Sequence, residues 1–418
     1  MRLTLPYGRD GLAVEVPDDA VVVEPRRTPA LADEQGAVRS SLRAPRSGPV
    51  LADAARRGGN VVVVFPDLTR PMPNTTVLPP LLAELEEAGA GPERVELLCA
   101  TGTHRQATAA EMAALVGPDI AARYRIHDHV AEDGRHVEVG QVDGTPVLLD
   151  HRYVEADLRI VTGFVEPHFF AGWSGGPKAV CPGLAATATI LEAHSPARLA
   201  DARSTWMAVD DNPVHSFVRA ATALCPPDLS VDVTIDDRRR LTGVFTGALP
   251  DSHRAACSFA TDHVTQSVDG RFDVVLTTNG GYPLDRNLYQ AVKGMAAAER
   301  VVTRGGVIVM AAACADGVPA PGAFARILAG ASTPEELVRP AGPGKLDGWQ
   351  AQVLGRVLGQ AEVWVHSEGL SDSEVRSGQM TAVHDLAGAV AGALARLGPK
   401  ARLCVLPHGP LTVATPSP

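Results

Sequence analysis

The chain has 418 residues, of which 45% are hydrophobic and 21% are charged, so it can bury a sizeable core beneath a polar surface. This length exceeds the usual size of one domain, and we therefore expect two domains. The formal net charge of −10 argues against a nucleic-acid-binding or membrane-binding surface, although a local basic pocket can still take an acidic substrate.

The start of the chain lacks the basic flank and apolar core of a signal peptide, and no apolar run approaches the ~20 residues that span a bilayer. The six cysteines are scattered without a CxxC pair, which favours reduced thiols over a disulfide framework or a cysteine zinc site. We therefore predict a cytoplasmic protein without a membrane or nucleic-acid partner.

Short β-branched runs alternate with helical stretches rich in Ala and Leu in the first part of the chain. The pattern predicts strands at 60–65, 95–100 and 158–165, a helix at 80–90, and a hairpin within 231–246. Strands that alternate with helices indicate a parallel sheet covered on both faces.

A second series of the same kind begins near residue 272. It predicts a helix at 288–300 and, between this helix and the chain end, a loop rich in Pro and Gly at 339–347. The predicted strands of this series are 272–278, 306–311, 361–366 and 401–406.

The two series together predict the fold class, which is α/β. We expect two α/β domains with mainly parallel sheets, residues 1–270 and residues 271–418, with an active-site cleft between them. The last residues could pack back on the first domain.

Polar motifs directly follow three predicted strands of the first domain. They are Asp67-Leu68-Thr69-Arg70, Thr101-Gly102-Thr103-His104-Arg105 and Glu166-Pro167-His168. Ligands of open parallel sheets bind at the carboxyl ends of the strands, so these motifs can bring a carboxylate, a guanidinium and two imidazoles to one edge. One polar strand end is ordinary loop chemistry, but three together favour a functional site.

Two histidines on opposite faces of a carbinol carbon can act as two bases, one for each enantiomer. An imidazole suits this task because its unperturbed pKa of roughly 6.5 lets it accept and return a proton near neutrality. His104 and His168 are the candidates. Asp67 could orient one imidazole, or instead cap the turn after its strand. Arg70 could hold a carboxylate with two parallel hydrogen bonds, or instead be a surface charge.

A glycine-rich segment, FAGWSGGPK, follows the third motif. Its SGG stretch at 174–176 allows close backbone approach to a ligand, and Pro177 is placed to open a helical turn whose amides favour a phosphate. The spacing fits neither a Walker A loop nor a Rossmann fingerprint. Lys178 could be a point charge or a nucleophile that binds a cofactor covalently. His194 lies near the end of a predicted helix at 185–195, where a histidine is more often a helix-end neighbour than a metal ligand.

The helix predicted at 288–300 carries a polar face in the second domain. Asp285 is placed to cap this helix. Tyr289 and Lys293 are spaced i,i+4 on one face, with Gln290 beside them. This face could carry polar groups into a ligand site, or the helix could be an ordinary amphipathic one with Tyr289 packed and Lys293 solvated.

Five segments in this order, DLTR, ATGTHR, EPHFFAGWSGGPK, the histidine at 194 and GGYPLDRNLYQAVK, resemble the nickel-dependent lactate racemase family. The motifs extend from Asp67 to Lys293, and the length suits a whole family chain. Singly, only the glycine-rich segment and the last segment are distinctive. The agreement of all five makes the resemblance specific.

The resemblance implies a nickel-pincer nucleotide, which is nickel pyridinium-3,5-bisthiocarboxylic acid mononucleotide. In the family a lysine holds this cofactor through a thioamide, which maps to Lys178, and a histidine ligates the nickel, which maps to His194. Nickel accepts imidazole and sulfur ligands readily. The resemblance also implies cofactor-maturation proteins as partners. Further cofactor contacts map to Asp67, Thr69, Thr103, Ser174, Gly175 and Gly176.

The resemblance further implies that His104 and His168 are the acid/base pair of a 2-hydroxy acid racemase or epimerase. One histidine removes the hydroxyl proton while hydride passes from the substrate carbon to the cofactor. The flat 2-keto acid then reorients and takes the hydride back on its other face, so no nicotinamide is needed. Substrate-positioning roles map to Arg70, Tyr289, Gln290 and Lys293. Trp173, beside the glycine turn, could shape the substrate pocket or instead be a packed indole.

Members of the family act on lactate, on other 2-hydroxy acids, on malate and on sugar acids, and we expect lactate or a related acid. Two alternatives come from other classes. A zinc-dependent hydrolase could use His104, His168 and Asp67 as ligands, although no HExxH spacing supports it. A non-catalytic ligand-binding sensor would not need a base on each face of its ligand.

Overall fold

The computed structural model describes residues 1–132, 134–319, 323–339 and 346–417. The strands, numbered along the chain, are β1 (Arg2–Leu5), β2 (Leu12–Glu15), β3 (Val21–Val22), β4 (Val61–Pro66), β5 (Val95–Ala100), β6 (Arg125–Asp128), β7 (His136–Val142), β8 (Thr145–Asp150), β9 (Leu158–Phe164), β10 (Pro167–His168), β11 (Gly172–Trp173), β12 (Leu229–Ile235), β13 (Leu241–Gly247), β14 (Thr265–Val268), β15 (Phe272–Thr278), β16 (Val302–Ala311), β17 (Glu362–His366), β18 (Thr381–Ala382), β19 (Leu403–Leu406) and β20 (Val413–Pro416).

The helices connect and cover these strands. They are α1 (Glu34–Arg43), α2 (Leu51–Ala55), α3 (Asn74–Glu87), α4 (Ala109–Val116), α5 (Pro118–Arg123), α6 (His151–Val154), α7 (Thr187–Ala193), α8 (Pro196–Ala200), α9 (Pro213–Ala223), α10 (Asp251–Val264), α11 (Leu288–Glu299), α12 (Ala323–Gly330), α13 (Pro334–Val338), α14 (Gly348–Gln360), α15 (Asp372–Ser377) and α16 (Leu386–Leu397), with short 3-10 helices at Gly176–Ala179 and Gly409–Leu411. Within the described ranges, no helix is both long enough and apolar enough to cross a membrane.

The chain forms two compact units. The N-terminal unit is Arg27–His263, and the C-terminal unit combines Met1–Arg26 with Val264–Pro418. The sequence placed the boundary at 270 and gave the first 26 residues to the first domain. The structure instead gives them to the C-terminal unit, because β3 pairs in parallel with β19 and so satisfies its backbone groups there.

The N-terminal unit is built on a six-stranded sheet in the order β13-β12-β9-β4-β5-β6. All neighbours are parallel except β12 and β13, which form the antiparallel hairpin predicted from the sequence. The strand β4 is buried along nearly its whole length because both faces are covered. Its core-facing side chains pack with apolar residues of α3, among them Leu78, Leu81 and Leu85.

The C-terminal unit has a six-stranded parallel sheet in the order β18-β17-β16-β15-β19-β3. Val274 and Val309 of this sheet share a core with Val390 of α16. The last strand, β20, pairs in parallel with β14, and both strands belong to this unit.

The predicted strands and the hairpin are confirmed within a few residues, and the fold is α/β with mainly parallel sheets. The helix predicted at 80–90 begins earlier, at Asn74, and contains Pro79 and Pro80. A proline removes one helix hydrogen bond, but burial of the surrounding apolar face holds the helix together. Most of the loop predicted at 339–347 lies outside the described residues. All six cysteines are buried, free thiols.

Candidate active site

The first part of the candidate site lies where β4 and β5 end side by side. Asp67 follows β4 and is 4% exposed. Its Oδ2 lies 2.8 Å from Nδ1 of His104, which follows β5. Thr69 donates its hydroxyl hydrogen to the other oxygen of Asp67 at 2.8 Å. The two predicted strand-end motifs therefore meet through side-chain hydrogen bonds, as the parallel register of β4 and β5 requires.

The hydrogen bond between Asp67 and His104 fixes where the imidazole carries its proton. Burial alone would raise the pKa of Asp67, but the positive charge and hydrogen bond of His104, supported by Arg70 and Thr69, hold this pKa below its usual value. An ionised carboxylate can only accept, so Nδ1 of His104 must donate. The lone pair of the neutral ring is then on Nε2, the atom that can take a proton.

Asp128, at the end of β6, holds the loop that carries His104. One oxygen of Asp128 accepts from the hydroxyl of Thr101 at 3.0 Å and the other from the amide of Ala107 at 3.1 Å. Gly102 supplies the turn with a φ of +56°, a conformation that favours glycine. Thr103 is half-buried between this turn and the imidazole.

Arg70 and Glu166 connect the end of β4 to the end of β9. Their closest atoms, Nη1 and Oε1, are 3.6 Å apart, and Nη1 is buried without a hydrogen-bond partner in the described structure. An unsatisfied buried guanidinium nitrogen is costly, and a carboxylate ligand would satisfy it. The arrangement therefore suits the predicted role of Arg70 in binding an acid.

His168 has the opposite tautomer to that of His104. It lies on β10, is 6% exposed, and stacks on the ring of Phe169 at 4.7 Å between centroids. Its Nδ1 accepts the amide hydrogen of Ala171 at 3.2 Å, so the proton of the neutral ring must be on Nε2. The two neutral imidazoles therefore differ at Nε2: His104 can accept a proton there, whereas His168 carries a proton there.

The ring of Phe170 brings three of the predicted residues together. It lies edge-on to His168 at 4.5 Å and to His194 at 5.4 Å, measured between ring centroids. The ammonium nitrogen of Lys178 lies 5.8 Å from the centre of the same ring. One imidazole of the acid/base pair, the predicted metal ligand and the predicted anchor therefore share one buried aromatic neighbour.

His194 is the C-cap residue of α7 and is 9% exposed. Its Nδ1 donates to the carbonyl oxygen of Ile190 at 2.8 Å, so the neutral ring has its lone pair on Nε2. Burial lowers the pKa of His194, the hydrogen bond to Ile190 partly offsets this, and the nearby charge of Lys178 adds to the lowering, so that the pKa is about 4. A neutral, oriented imidazole of this kind is what a metal ligand requires.

Lys178 lies in the short 3-10 helix Gly176–Ala179, which Pro177 opens as the sequence predicted. Gly175 and Gly176 precede it with φ values of +74° and +50°. Both glycines are also sterically necessary, because a Cβ atom would lie 2.8 Å from Val165 in one case and 2.4 Å from a histidine ring in the other. The turn that presents the lysine is therefore tightly fixed.

The other residues of the glycine-rich segment face the interior. Ser174 donates its hydroxyl hydrogen to Phe164 O at 2.7 Å, and Gly176 N donates to a buried carboxylate at 2.7 Å. Trp173 is 1% exposed and donates its indole hydrogen to Met207 O at 3.1 Å. The ring of Trp173 is therefore packed within the unit and its polar edge is bonded, and its proposed part in shaping the substrate site stays a prediction.

The helix predicted to carry substrate-positioning residues is α11 of the C-terminal unit. The prediction that Asp285 caps it is wrong: Asn287 is the cap, and Asp285 instead accepts backbone hydrogens from Gly8 and Ala313. Gln290 is 5% exposed. Tyr289 accepts a hydrogen bond from the indole of Trp349 at 2.6 Å, and Lys293 is half-buried one turn further along the helix.

The sequence analysis missed buried polar residues behind the glycine-rich loop. Asp232 and Thr234 alternate with valines in β12, a pattern that predicts a solvent-facing side, yet both faces of β12 are buried. His253 of α10 is likewise 1% exposed.

The N-terminal unit is an α/β scaffold whose strand ends and glycine-rich loop present two imidazoles, a partly buried arginine and a tightly held lysine. Comparison with known proteins gives the family. A lactate racemase N-terminal domain model matches residues 7–206, and a lactate racemase C-terminal domain model matches residues 268–414.

Full-length relatives agree with this result. Lactate racemase of Thermoanaerobacterium thermosaccharolyticum is 32% identical over 418 residues and covers 97% of both chains. Lactate racemase of Lactiplantibacillus plantarum is 33% identical over 419 residues and covers 97% of this chain and 98% of its own. The chain belongs to the lactate racemase family, which places it among the isomerases.

Solved structures show the same fold. The lactate racemase apoprotein from Thermoanaerobacterium thermosaccharolyticum superposes with a TM-score of 0.91 at 31% identity, covering 99% of this chain and 100% of that one. A protein from Thermotoga maritima superposes with a TM-score of 0.68 at 18% identity, covering 88% of this chain and 97% of its own, and supports the fold alone.

Proposed function

We propose that the protein is a racemase or epimerase that inverts C2 of a 2-hydroxy acid, with lactate as the first substrate to test. Family membership supports the reaction class. The observation that carries the proposal is that the two imidazoles have opposite tautomers. His104 donates from Nδ1 to Asp67, whereas His168 accepts at Nδ1 from the Ala171 amide. An isomerase that removes and returns a proton needs one group that accepts and one that donates.

The residues present fit the nickel-pincer nucleotide. The neutral imidazole of His194 can offer Nε2 to nickel, and Lys178 shares the Phe170 ring with it, so one group could be bound by both. In this proposal Lys178 forms the covalent link and His194 ligates the nickel. When bound, the cofactor supplies the hydride acceptor for the C2 hydrogen.

The chain's own groups handle the substrate proton and carboxylate. His104 takes the hydroxyl proton at Nε2, with Asp67 stabilising the imidazolium that forms. His168 presents its Nε2–H to the substrate oxygen and returns a proton when the oxygen reaches its side. Arg70 binds the carboxylate through the buried nitrogen that lacks a hydrogen-bond partner in the described structure.

The remaining assignments stay predictions of the family resemblance. Thr69 and Thr103 lie beside His104 and are proposed to contact the cofactor, as are Asp67 and the 174–176 turn. Tyr289, Gln290 and Lys293 are proposed to position substrate. Cofactor-maturation proteins are the proposed partners and the cytoplasm the proposed location. Malate and sugar acids are the alternative substrates.

The test is to incubate cofactor-loaded protein with L-lactate in deuterated water and to follow D-lactate by chiral chromatography. We expect racemisation with the C2 hydrogen retained, because a hydrogen that moves as hydride does not exchange with solvent. A Lys178→Arg variant prepared in the same way is the matched control and should be inactive. A panel of chiral 2-hydroxy acids run in parallel identifies the preferred substrate.

Two results would contradict the proposal. Deuterium at C2 would mean that the carbon loses a proton rather than a hydride. Tight binding of 2-hydroxy acids by loaded protein without any turnover would favour the sensor function. The zinc hydrolase has little structural support, since across the described ranges no three His, Cys, Asp or Glu side chains are grouped to hold a metal ion.

A further inference from the structure

The backbone of the glycine-rich loop is held from inside the N-terminal unit by buried side chains that the proposed chemistry does not use. Each of these side chains is at most 1% exposed. Asn212 donates to Phe170 O at 2.8 Å, His215 donates to Ala171 O at 3.1 Å, His253 donates to Ser174 O at 2.8 Å, and Asp232 accepts from Gly176 N at 2.7 Å.

This arrangement is unusual for a loop. Most loops lie on the surface, where water satisfies their backbone groups. Here the loop is buried, and side chains from α9, α10 and β12 take the place of water. Burying a carboxylate and two imidazoles opposes folding, as the burial-raised pKa of Asp232 reflects, and apolar residues would fill the same volume more favourably.

The contacts are closest at the turn just before Lys178. Asp232 also accepts from the hydroxyl of Ser230 at 2.7 Å, so both of its oxygens are bonded. A Cβ atom on Gly176 would lie 2.4 Å from the ring of His253, and one on Gly175 would lie 2.9 Å from Asp232. The turn therefore rests directly on these two side chains and cannot shift without moving them.

We propose that Asp232 and His253 are positioning residues that set the 174–176 turn and thereby fix where Lys178 is presented. Lys178 follows Gly176 by two residues, and its amide donates to Gly175 O at 3.1 Å, so its place depends on the turn. The functional importance of this positioning rests on the proposed role of Lys178 as the cofactor anchor. The effect of Asp232 and His253 on the position of Lys178 does not depend on that role, and it can be measured in protein without cofactor.

The experiment measures how fast an acetylating N-hydroxysuccinimide ester modifies Lys178, relative to the exposed Lys400 in the same peptide digest. In the wild-type apoprotein we expect Lys178 to react more slowly than Lys400, because it is half-buried against Phe170. Asp232→Ala and His253→Phe each remove one hydrogen bond to the turn. Both should bring the ratio of the two rates towards its value in denatured protein.

The matched control is Thr234→Val, which lies on the same buried face of β12 and bonds the hydroxyl of Thr242 rather than the loop. It should lower the melting temperature but keep the wild-type labelling ratio. His253→Gln retains a side-chain N–H donor and should restore the ratio. His253→Phe keeps an aromatic ring in the same space. If Asp232→Ala does not fold, the labelling ratio of His253→Phe alone tests whether the turn is held by these side chains.

A second readout uses protein co-expressed with the cofactor-maturation proteins. The share of chains that carry a nucleotide-sized adduct on Lys178 should fall by about tenfold or more in both variants, since misplacing a reacting group by about 1 Å can cost about 10²-fold in rate. Labelling ratios unchanged from wild type in both variants would overturn the proposal. If the labelling ratio changes in the variants but even the wild type carries no adduct, the result would count against the proposed function, while the proposal that Asp232 and His253 position Lys178 would stand.

Discussion

The two six-stranded sheets use polar residues at their strand ends in different ways. In the C-terminal unit, Asn279 accepts the amide hydrogen of Gly294 at 2.9 Å, and Asp285 accepts the amides of Gly8 and Ala313 at 2.7 and 3.1 Å. In the N-terminal unit, Asp67 bonds the side chain of His104. The first arrangement joins loops to one another, whereas the second controls the proton position of a titratable group.

Buried carboxylates near strand ends can therefore be divided into those that stabilise the fold and those that act on a titratable group of the candidate site. A carboxylate whose partners are backbone amides stabilises the fold, and its loss leaves those amides unsatisfied. A carboxylate whose partner is an imidazole fixes a tautomer and stabilises a charge that forms during reaction. Substitutions of Asp67 and of Asp285 should therefore affect different measurements.

The largest effect should come from the imidazoles. His104→Ala and His168→Ala should each lower kcat by about 10²–10⁴-fold, the range that general acid–base groups contribute, without unfolding the protein. The measurement is racemisation of L-lactate by loaded variants with equal adduct content and unchanged far-ultraviolet circular dichroism. Full activity in either variant would remove that histidine from the proposed mechanism.

Asp67→Asn should have the next largest effect. The amide can no longer stabilise an imidazolium and can accept or donate towards Nδ1, so we expect about 10²-fold lower kcat, at the low end of the range that acid–base and electrostatic groups contribute. Nitrogen-15 spectra of the apoprotein imidazoles give an independent measurement. They should show His104 protonated at Nδ1 and His168 at Nε2 in the wild type, and a mixed state of His104 in the variant. Identical tautomers for both rings would contradict the structural account.

Asp285→Asn is the counterpart of Asp67→Asn in the C-terminal unit. It should lower the stability of the protein and leave kcat unchanged. Both amides donate to the same oxygen, Oδ2, so the variant can keep one acceptor there but loses the charge that strengthens both bonds, and its NH2 group replaces an oxygen that is buried without a partner in the described structure. We expect a loss of about 1–3 kcal/mol in the free energy of unfolding, the usual result of disturbing buried hydrogen bonds. Urea denaturation measures it. The cofactor-loaded Asp285→Asn variant should keep its turnover per folded molecule. A loss of kcat as large as that of Asp67→Asn would contradict the distinction between the roles of the two carboxylates.

The last prediction concerns the pH dependence of stability and the buried His215. Burial, followed by the charge of His253, lowers the pKa of His215 to about 3 from the usual 6.5. The unfolded chain therefore takes up a proton near pH 6.5 while the folded chain does not. The stability contributed by the neutral ring is present above pH 6.5 and is lost as the pH falls towards 3, by about 1.4 kcal/mol per pH unit.

His215→Asn removes this titration while keeping a side-chain donor for Ala171 O. Denaturation midpoints at pH 7 and pH 5 measure the effect. The variant should lose less stability than the wild type between these two values. An equal loss in both proteins would mean that His215 does not titrate as the structure indicates.

Part of the candidate site could be predicted from the sequence because parallel strands end at a common edge. Asp67 and His104 each follow a strand with a clear apolar pattern, so their hydrogen bond follows from the pairing of β4 with β5. The roles of Asp232 and His253 could not be predicted in this way. They contact a loop far away in sequence, and the alternating pattern of β12 hides that both of its faces are buried.

The same limits apply to the fold. The two-residue strand β3 has no periodicity of its own and is defined only by pairing with β19, so the sequence placed residues 1–26 in the wrong unit. Trp173 lies within a distinctive motif, and the sequence left open whether it shapes the substrate pocket or packs as a buried indole. Its burial depends on packing against the segment around Met207, which no local pattern indicates.

The central claim is that Lys178 and His194 of the N-terminal unit hold a nickel-containing nucleotide. Intact mass, nickel analysis and peptide mapping after co-expression with the cofactor-maturation proteins test it most directly. We expect a nucleotide-sized adduct on Lys178, with about one nickel per chain in the wild type and much less in His194→Ala, as a single imidazole-ligated site requires. Absence of both adduct and nickel, from a host shown to load another member of the family, would contradict the claim.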